Sequence, residues 1–485
     1  MTKRNQTMMQ FFEWHLINDG DHWNRLTLLA SELESHGINA LWIPPATKGT
    51  SQADNGYGIY DAYDLGEFDQ KNTVRTKYGT KDELIKGIQA CHQHNIRIYA
   101  DVVMNHLAGA DETETFEVVE VDADDRHEVV SEPFEIEGWT KFTFPGRAGV
   151  HSSFQWNFHH FNGTDYDESR SVRGIYRILG DHKRWNHHVD NEFGNYDYLM
   201  FANIDYHHPE VRTEMIHWGK WFAEVTACNG FRLDAIKHIN HQFLDEFISD
   251  IREEFGEKFY FVGEYWNPDL EACSSFLESV DYQIDLFDVG LHYRFYEASL
   301  AKSDFDMRGM FDDTLVAAHP MNAVTFVDNH DSQPGESLES WIGDWFKPLA
   351  YALILLRKDG YPCLFYGDYI GISGDDPIQG KKEIIDPLLD ARNQYAYGEQ
   401  HDYFDHKNTI GWVRLGDKDI DHSGCAVIIS NGEDGHKKMF VGEERAQETW
   451  IDLTNNSQDT IVIDDNGYGE FTVKGESVSV YIAKQ

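Results

Sequence analysis

Three carboxylates stand where apolar runs end: Asp234 after Gly230-Phe-Arg-Leu, Glu264 after Phe259-Tyr-Phe-Val-Gly, and Asp331 after Val324-Thr-Phe-Val-Asp-Asn-His. An ionised acid inside such a run would carry a large desolvation cost. Each is therefore expected where a buried β-strand emerges into a cleft. Three such acids at the ends of three strands suggest the acid–base chemistry of a glycosidase cleft.

The elements that must hold these acids alternate along the chain. Strands are predicted at residues 8–12, 40–43, 97–103, 231–234, 259–263, 283–287, 323–327 and 363–366. Between them, apolar residues at three- and four-residue spacing predict helices over 23–36, 82–94, 209–227, 242–255, 270–279 and 348–358. Eight parallel strands with intervening helices make an α/β fold, a (β/α)8 TIM barrel, the economical architecture, and place the three acids on its C-terminal rim. Two stretches break the alternation. Residues 105–207, rich in Gly, Asn, Asp, His and aromatics with short β-like pieces at 115–121 and 139–144, are too long for a barrel loop and read as a β-rich domain inserted after strand 3. Beyond Gly398 the pattern has a period of two (Val478, Val480, Ile482), with turn signals at Asn431-Gly432, Asn466-Gly467 and Lys474-Gly475. The expected division is barrel 1–104, insertion 105–207, barrel 208–397 and a C-terminal antiparallel β-sandwich 398–485.

Composition sets outer limits. The 485 residues are 41% hydrophobic and 26% charged, enough for one large core with accessory domains. A net charge of -43 argues against nucleic acid and anionic membranes, whose phosphates need clustered Lys and Arg, and is compatible with a neutral partner. Five scattered cysteines (Cys91, Cys228, Cys273, Cys363, Cys425) lack C-x-x-C spacing, so neither a disulfide framework nor a zinc site is expected. No apolar run is long enough to cross a bilayer, and the segment after Met1 has no signal-peptide hydrophobic region. With Met1 as the native start, a cytoplasmic protein is expected, and a monomer.

The segments Asp101-Val-Val-Met-Asn-His106, Gly230-Phe-Arg-Leu-Asp-Ala-Ile-Lys-His238, Val262-Gly-Glu-Tyr-Trp266 and Phe326-Val-Asp-Asn-His-Asp331 resemble, in order, the four signature regions of the α-amylase family, glycoside hydrolase family thirteen. Gly194-Asn-Tyr-Asp-Tyr-Leu-Met200 and Trp345-Phe-Lys-Pro-Leu-Ala350 extend the likeness to bacterial liquefying-type and intracellular members. The resemblance implies an endo-acting, retaining hydrolase of α-1,4-glucans. It casts Asp234 as nucleophile, Glu264 as acid/base, and Asp331 as the third acid, which grips sugar hydroxyls in the distorted transition state. Arg232 shares a strand face with Asp234 and can hold it ionised. His106 and His330 match histidines that hydrogen-bond the cleaved sugar, and Tyr57 matches the aromatic platform beneath it. Lys237, His238 and Trp266 match contacts on the leaving-group side. The same triad serves glucan-transferring and α-1,6-cleaving members, and a noncatalytic carbohydrate-binding barrel would not need it.

The resemblance also implies a structural Ca²⁺ between barrel and insertion, on Asn105, Asp197, Asn203 and the His238 carbonyl. Here the chain departs from the liquefying members, which have aspartates in place of Asn162, Asn186 and Asn203 and another acid in place of His207. Fewer charges predict one weakly held calcium, or Na⁺ in its place, rather than a cluster.

Overall fold

The computed structural model describes residues 4–484. Eight strands close a barrel: β1 Met8–Gln10, β2 Ala40–Ile43, β3 Arg97–Val102, β4 Gly230–Leu233, β5 Tyr260–Gly263, β6 Asp285–Phe287, β7 Ala323–Phe326 and β8 Tyr361–Phe365. Each pairs in parallel with its sequence neighbours, and β1 closes the ring on β8 through Met8↔Cys363. The strands are short, apolar runs buried on both faces, as expected when barrel interior lies on one side and helices on the other. The helix Lys81–Gln93 shows how the outer layer is specified. Thr80 accepts from the Glu83 backbone N–H while the Glu83 carboxylate accepts from that of Thr80, and Leu84, Ile88 and Cys91 turn one stripe inward.

Between β3 and β4 the chain builds a six-stranded sheet in the order His106–Leu107, Ala202–Ile204, Phe161–Asp167, Val172–Ile178, Glu112–Glu120, Phe134–Lys141. Every pairing in it is antiparallel. After the helix Lys382–Gln394 a second six-stranded antiparallel sheet forms, with Thr409–Arg414, Cys425–Ser430 and Ser477–Ala483 at its centre. The antiparallel pair Gly435–Phe440/Tyr468–Val473 packs on it around Val413, Ile428, Met439 and Phe471. A TIM barrel with additional β-rich layers is therefore the architecture, as the alternation of the sequence predicts. All five cysteines are buried and unpaired.

Candidate active site

Leu233 of β4 pairs with Gly263 of β5, so the residues that follow, Asp234 and Glu264, leave the barrel side by side. The backbone N–H of Asp234 donates to Val102 O (3.0 Å) and that of Glu264 to Leu233 O (2.9 Å), which fixes both at the rim. Ala235 then turns into the left-handed region (φ 49°), a conformation costing a non-glycine residue roughly 1–2 kcal/mol. That turn aims the Ala235 N–H at Glu264 Oε2, 3.0 Å away.

Arg232 lies beneath them with no exposed side-chain surface. Its Nη1 donates to Asp234 Oδ1 (2.6 Å) and to both oxygens of Asp101 (3.0 and 3.1 Å). Its Nη2 lies 3.0 Å from Glu264 Oε2, an ion pair outside hydrogen-bond alignment. The Trp42 ring covers the guanidinium at 4.7 Å. Trp42 Nε1 and Tyr57 Oη donate to Asp101 Oδ2 (2.9 and 2.8 Å). One cation thus joins three carboxylates on β3, β4 and β5.

Burial dominates the titration of the group. It raises the Asp234 carboxyl to about 6 against the opposing charge of Arg232. Glu264 is raised by burial and by the charge of Asp234, and Asp331 is raised well above the ordinary range by burial and by Glu264. Four acids share one arginine, so burial and mutual repulsion push each of them toward its protonated form, the direction that the acid/base partner of a carboxylate nucleophile needs.

Around the acids opens a cavity of about 240 Å³. Tyr57, His106, Lys237, His238, Trp266 and all three acids line it. Of the predicted contacts, Arg232 and His330 do not line it. His330 is buried beside it, stacked on Tyr57 at 5.1 Å and on Trp14 at 5.9 Å. Gln10 Nε2 meets His330 Nδ1 at 3.0 Å, so a neutral ring carries its proton on Nε2, toward Asp331 Oδ2 at 3.3 Å. Burial and the charge of Arg232 keep that ring neutral. His106 is also neutral, lowered to about 4 by burial, with Nε2 on Tyr57 O (2.8 Å). Lys237 reaches Glu192 Oε2 (2.8 Å) and Trp266 O (3.2 Å), and His238 Nδ1 holds Tyr196 O (2.6 Å). Sequence reasoning did not single out Asp101, Trp14, Tyr196 or Met200. Asp101 opens a quoted motif, but only the folded register sets it opposite Arg232.

Two of the predicted cation ligands, Asp197 and Asn203, join Asn162 and Asn186 in a buried amide network. Asn162 Nδ2 donates to Asp197 Oδ2 (2.7 Å) and Asn186 Nδ2 to Asp197 Oδ1 (2.9 Å). Asn203 Nδ2 donates to Asn162 Oδ1 (2.9 Å), leaving Asn203 Oδ1 buried without a partner. Asn105 Nδ2 meets His106 Nδ1 at 3.3 Å. That orphan acceptor beside one carboxylate fits a single oxygen-liganded cation, and the amide N–H groups facing Asp197 do not fit a cluster. A separate group, His160, His208 and Glu210, has metal-like spacing. There His160 Nδ1 accepts the Asn157 N–H, so a neutral ring is protonated on Nε2, the atom facing Glu210.

The model of the α-amylase catalytic domain matches residues 30–460. An α-amylase of Bacillus licheniformis is 52% identical over 99% of this chain and 94% of its own length. A cytoplasmic α-amylase of Escherichia coli strain K12 is 43% identical over 99% of both chains. A solved α-amylase of Geobacillus thermoleovorans, complexed with acarbose, superposes with a TM-score of 0.66 at 18% identity over 99% of this chain and 98% of that one. A barrel that carries its acids on the C-terminal rim, and likeness that runs nearly end to end, have one meaning: the chain belongs to the α-amylase family of glycosidases.

Proposed function

We propose that the protein is an endo-acting α-1,4-glucan hydrolase that retains anomeric configuration, acting on starch, glycogen or maltodextrins. The observation that carries this is that Asp234 and Glu264 line one cavity while Arg232, buried beneath them, bridges the two. Asp234, held toward its ionised form by Arg232, attacks the anomeric carbon while Glu264 protonates the departing oxygen. Water then completes the reaction with Glu264 acting as base. Asp331, with His330 behind it, takes the hydroxyls of the distorted sugar, and Tyr57 lies under its apolar face. Lys237, His238 and Trp266 hold the leaving side.

We assign residues 105–207 to an inserted domain and 398–485 to a C-terminal one. A single structural calcium, replaceable by Na⁺, would be held by Asn105, Asp197, Asn203 and the His238 carbonyl. No helix among the described residues is long and apolar enough to cross a membrane. The similarity to the cytoplasmic α-amylase of Escherichia coli supports action in the cytoplasm, and we infer a monomer without nucleic-acid partners. A time course on a defined maltooligosaccharide, resolving anomers, tests the assignment. Internal cleavage with α-anomeric products is expected, and β-anomeric products or transfer without hydrolysis would refute it.

A further inference from the structure

Behind the cavity, three segments of the inserted sheet and its loops meet: residues 159–162, 183–186 and 203–207. Lys183 is buried among them, with 7% of its side chain exposed. Its ammonium donates to His159 O (2.6 Å), Phe161 O (2.8 Å) and Asp205 Oδ2 (2.7 Å), using all three of its protons. The other oxygen of Asp205 accepts the His207 N–H (3.0 Å) and faces His207 Nδ1 (3.1 Å). On the adjoining side, the Asn186 backbone N–H adds a third donor to the two amides on Asp197, at 2.9 Å. Asn240 Nδ2 closes the chain on Asn186 Oδ1 (3.2 Å).

We propose that this amide-and-ammonium clamp takes the place of a cation cluster. The side chains of Asn162, Asn186 and Lys183 supply the positive ends that buried Asp197 and Asp205 require, and so pin the insertion without any divalent ion beyond the single one assigned to Asn105, Asp197, Asn203 and the His238 carbonyl. Two buried carboxylates that lacked donors would need a bound cation or a proton to neutralise them. Here each carboxylate already faces N–H groups from the chain, and a divalent ion would meet those hydrogens at the positions of its ligands. A covalently attached donor has no concentration dependence, whereas an ion stabilises only in proportion to its occupancy. The clamp also explains why Asn203 Oδ1 is the one amide oxygen of the network left over. The proposal is independent of the hydrolytic assignment.

The conversion Asn186→Asp tests it, with Asn162→Asp as a second variant. Each replaces a donor with a carboxylate facing Asp197. Thermal melting in chelator and in graded calcium chloride, at fixed ionic strength, is compared with calcium bound per chain by equilibrium dialysis. The wild type is expected to melt within a degree or so with and without chelator and to bind no more than one calcium. Either Asp variant should melt several degrees lower in chelator, climb with the logarithm of calcium concentration, and bind one calcium more. Lys183→Met, which leaves Asp205 and two carbonyls without their donor, should melt lower even in calcium-free buffer. Two or more calcium ions on the wild type, or a wild-type collapse in chelator reversed by calcium, would overturn the clamp. So would Asp variants as indifferent to calcium as the wild type. If neither Asp variant folds, the wild-type stoichiometry and the Lys183→Met melt decide alone.

Discussion

Arg232 gives one guanidinium to Asp101, Asp234 and Glu264, and that sharing sets the pH response. Asp234 must be ionised to attack. Burial raises it to about 6, so kcat/KM falls as pH drops through the region near 6. Glu264 must be protonated, and its raised pKa moves the loss of activity on the alkaline side upward. A bell-shaped profile is expected, with its limbs belonging to the coupled group rather than to single residues. A flat profile between pH 5 and 8 would contradict the assignment. Removing the charge without changing the shape is the sharper test. Glu264→Gln and Asp234→Asn are each expected to lose about 10³-fold or more in kcat, with circular dichroism unchanged. Near-normal turnover in either would remove that residue from the reaction. The acids were legible in sequence because an acid after an apolar run is costly anywhere but a strand end. Asp101 was not, because its partner lies 131 residues away and only pairing of β3 with β4 joins them.

The eight strands were legible as apolar runs, and the structure ends each within a few residues of where the pattern does. Asp234 is the instructive boundary: the pattern includes it in the strand, while the chain turns at Asp234 and leaves β4 ending at Leu233. Two of the longer helices were not named from spacing. Lys382–Gln394 carries Pro387 inside it, which reads as a breaker, and Val289–Ala301 buries Leu291, His292, Phe295 and Ser299 without a clean apolar stripe. Strand packing also makes a demand that the motif conceals. A Cβ on Gly230, the first residue of β4, would stand 2.3 Å from Tyr260 O and 2.9 Å from the Tyr99 ring. The obstacle is backbone, so β4 and β5 must separate to admit it. Gly230→Ala is expected to destabilise the fold by about 1–3 kcal/mol, and to lower activity through displacement of Asp234, four residues on. A melting temperature equal to the wild type's would show that the pair yields without strain.

At the scale of the whole molecule, 84 acidic residues against 41 basic ones leave a charge of -43 on one compact body. Composition made this plain, whereas the fate of the buried acids was not, since hydrogen-bond direction at Asp197 and the approach of Lys183 to Asp205 exist only after three distant segments meet. The two facts must be separated experimentally, because added salt both screens surface repulsion and supplies cations to any binding site. Like charges lie closer together in the folded chain than in the unfolded one, so repulsion destabilises the native state. Screening shortens its range from about 30 Å at 0.01 M to about 8 Å at 0.15 M. Tetramethylammonium chloride screens as sodium chloride does, but its cation is too bulky and too poor in donors for a carbonyl-and-carboxylate cradle. The melting temperature is therefore expected to rise over that range in both salts, and by nearly the same amount if the clamp leaves little for an ion to do. A rise confined to sodium chloride would assign the effect to an ion on Asn203 and Asp197. A flat response in both would show that the excess charge is spread too thinly over the surface to weigh on folding.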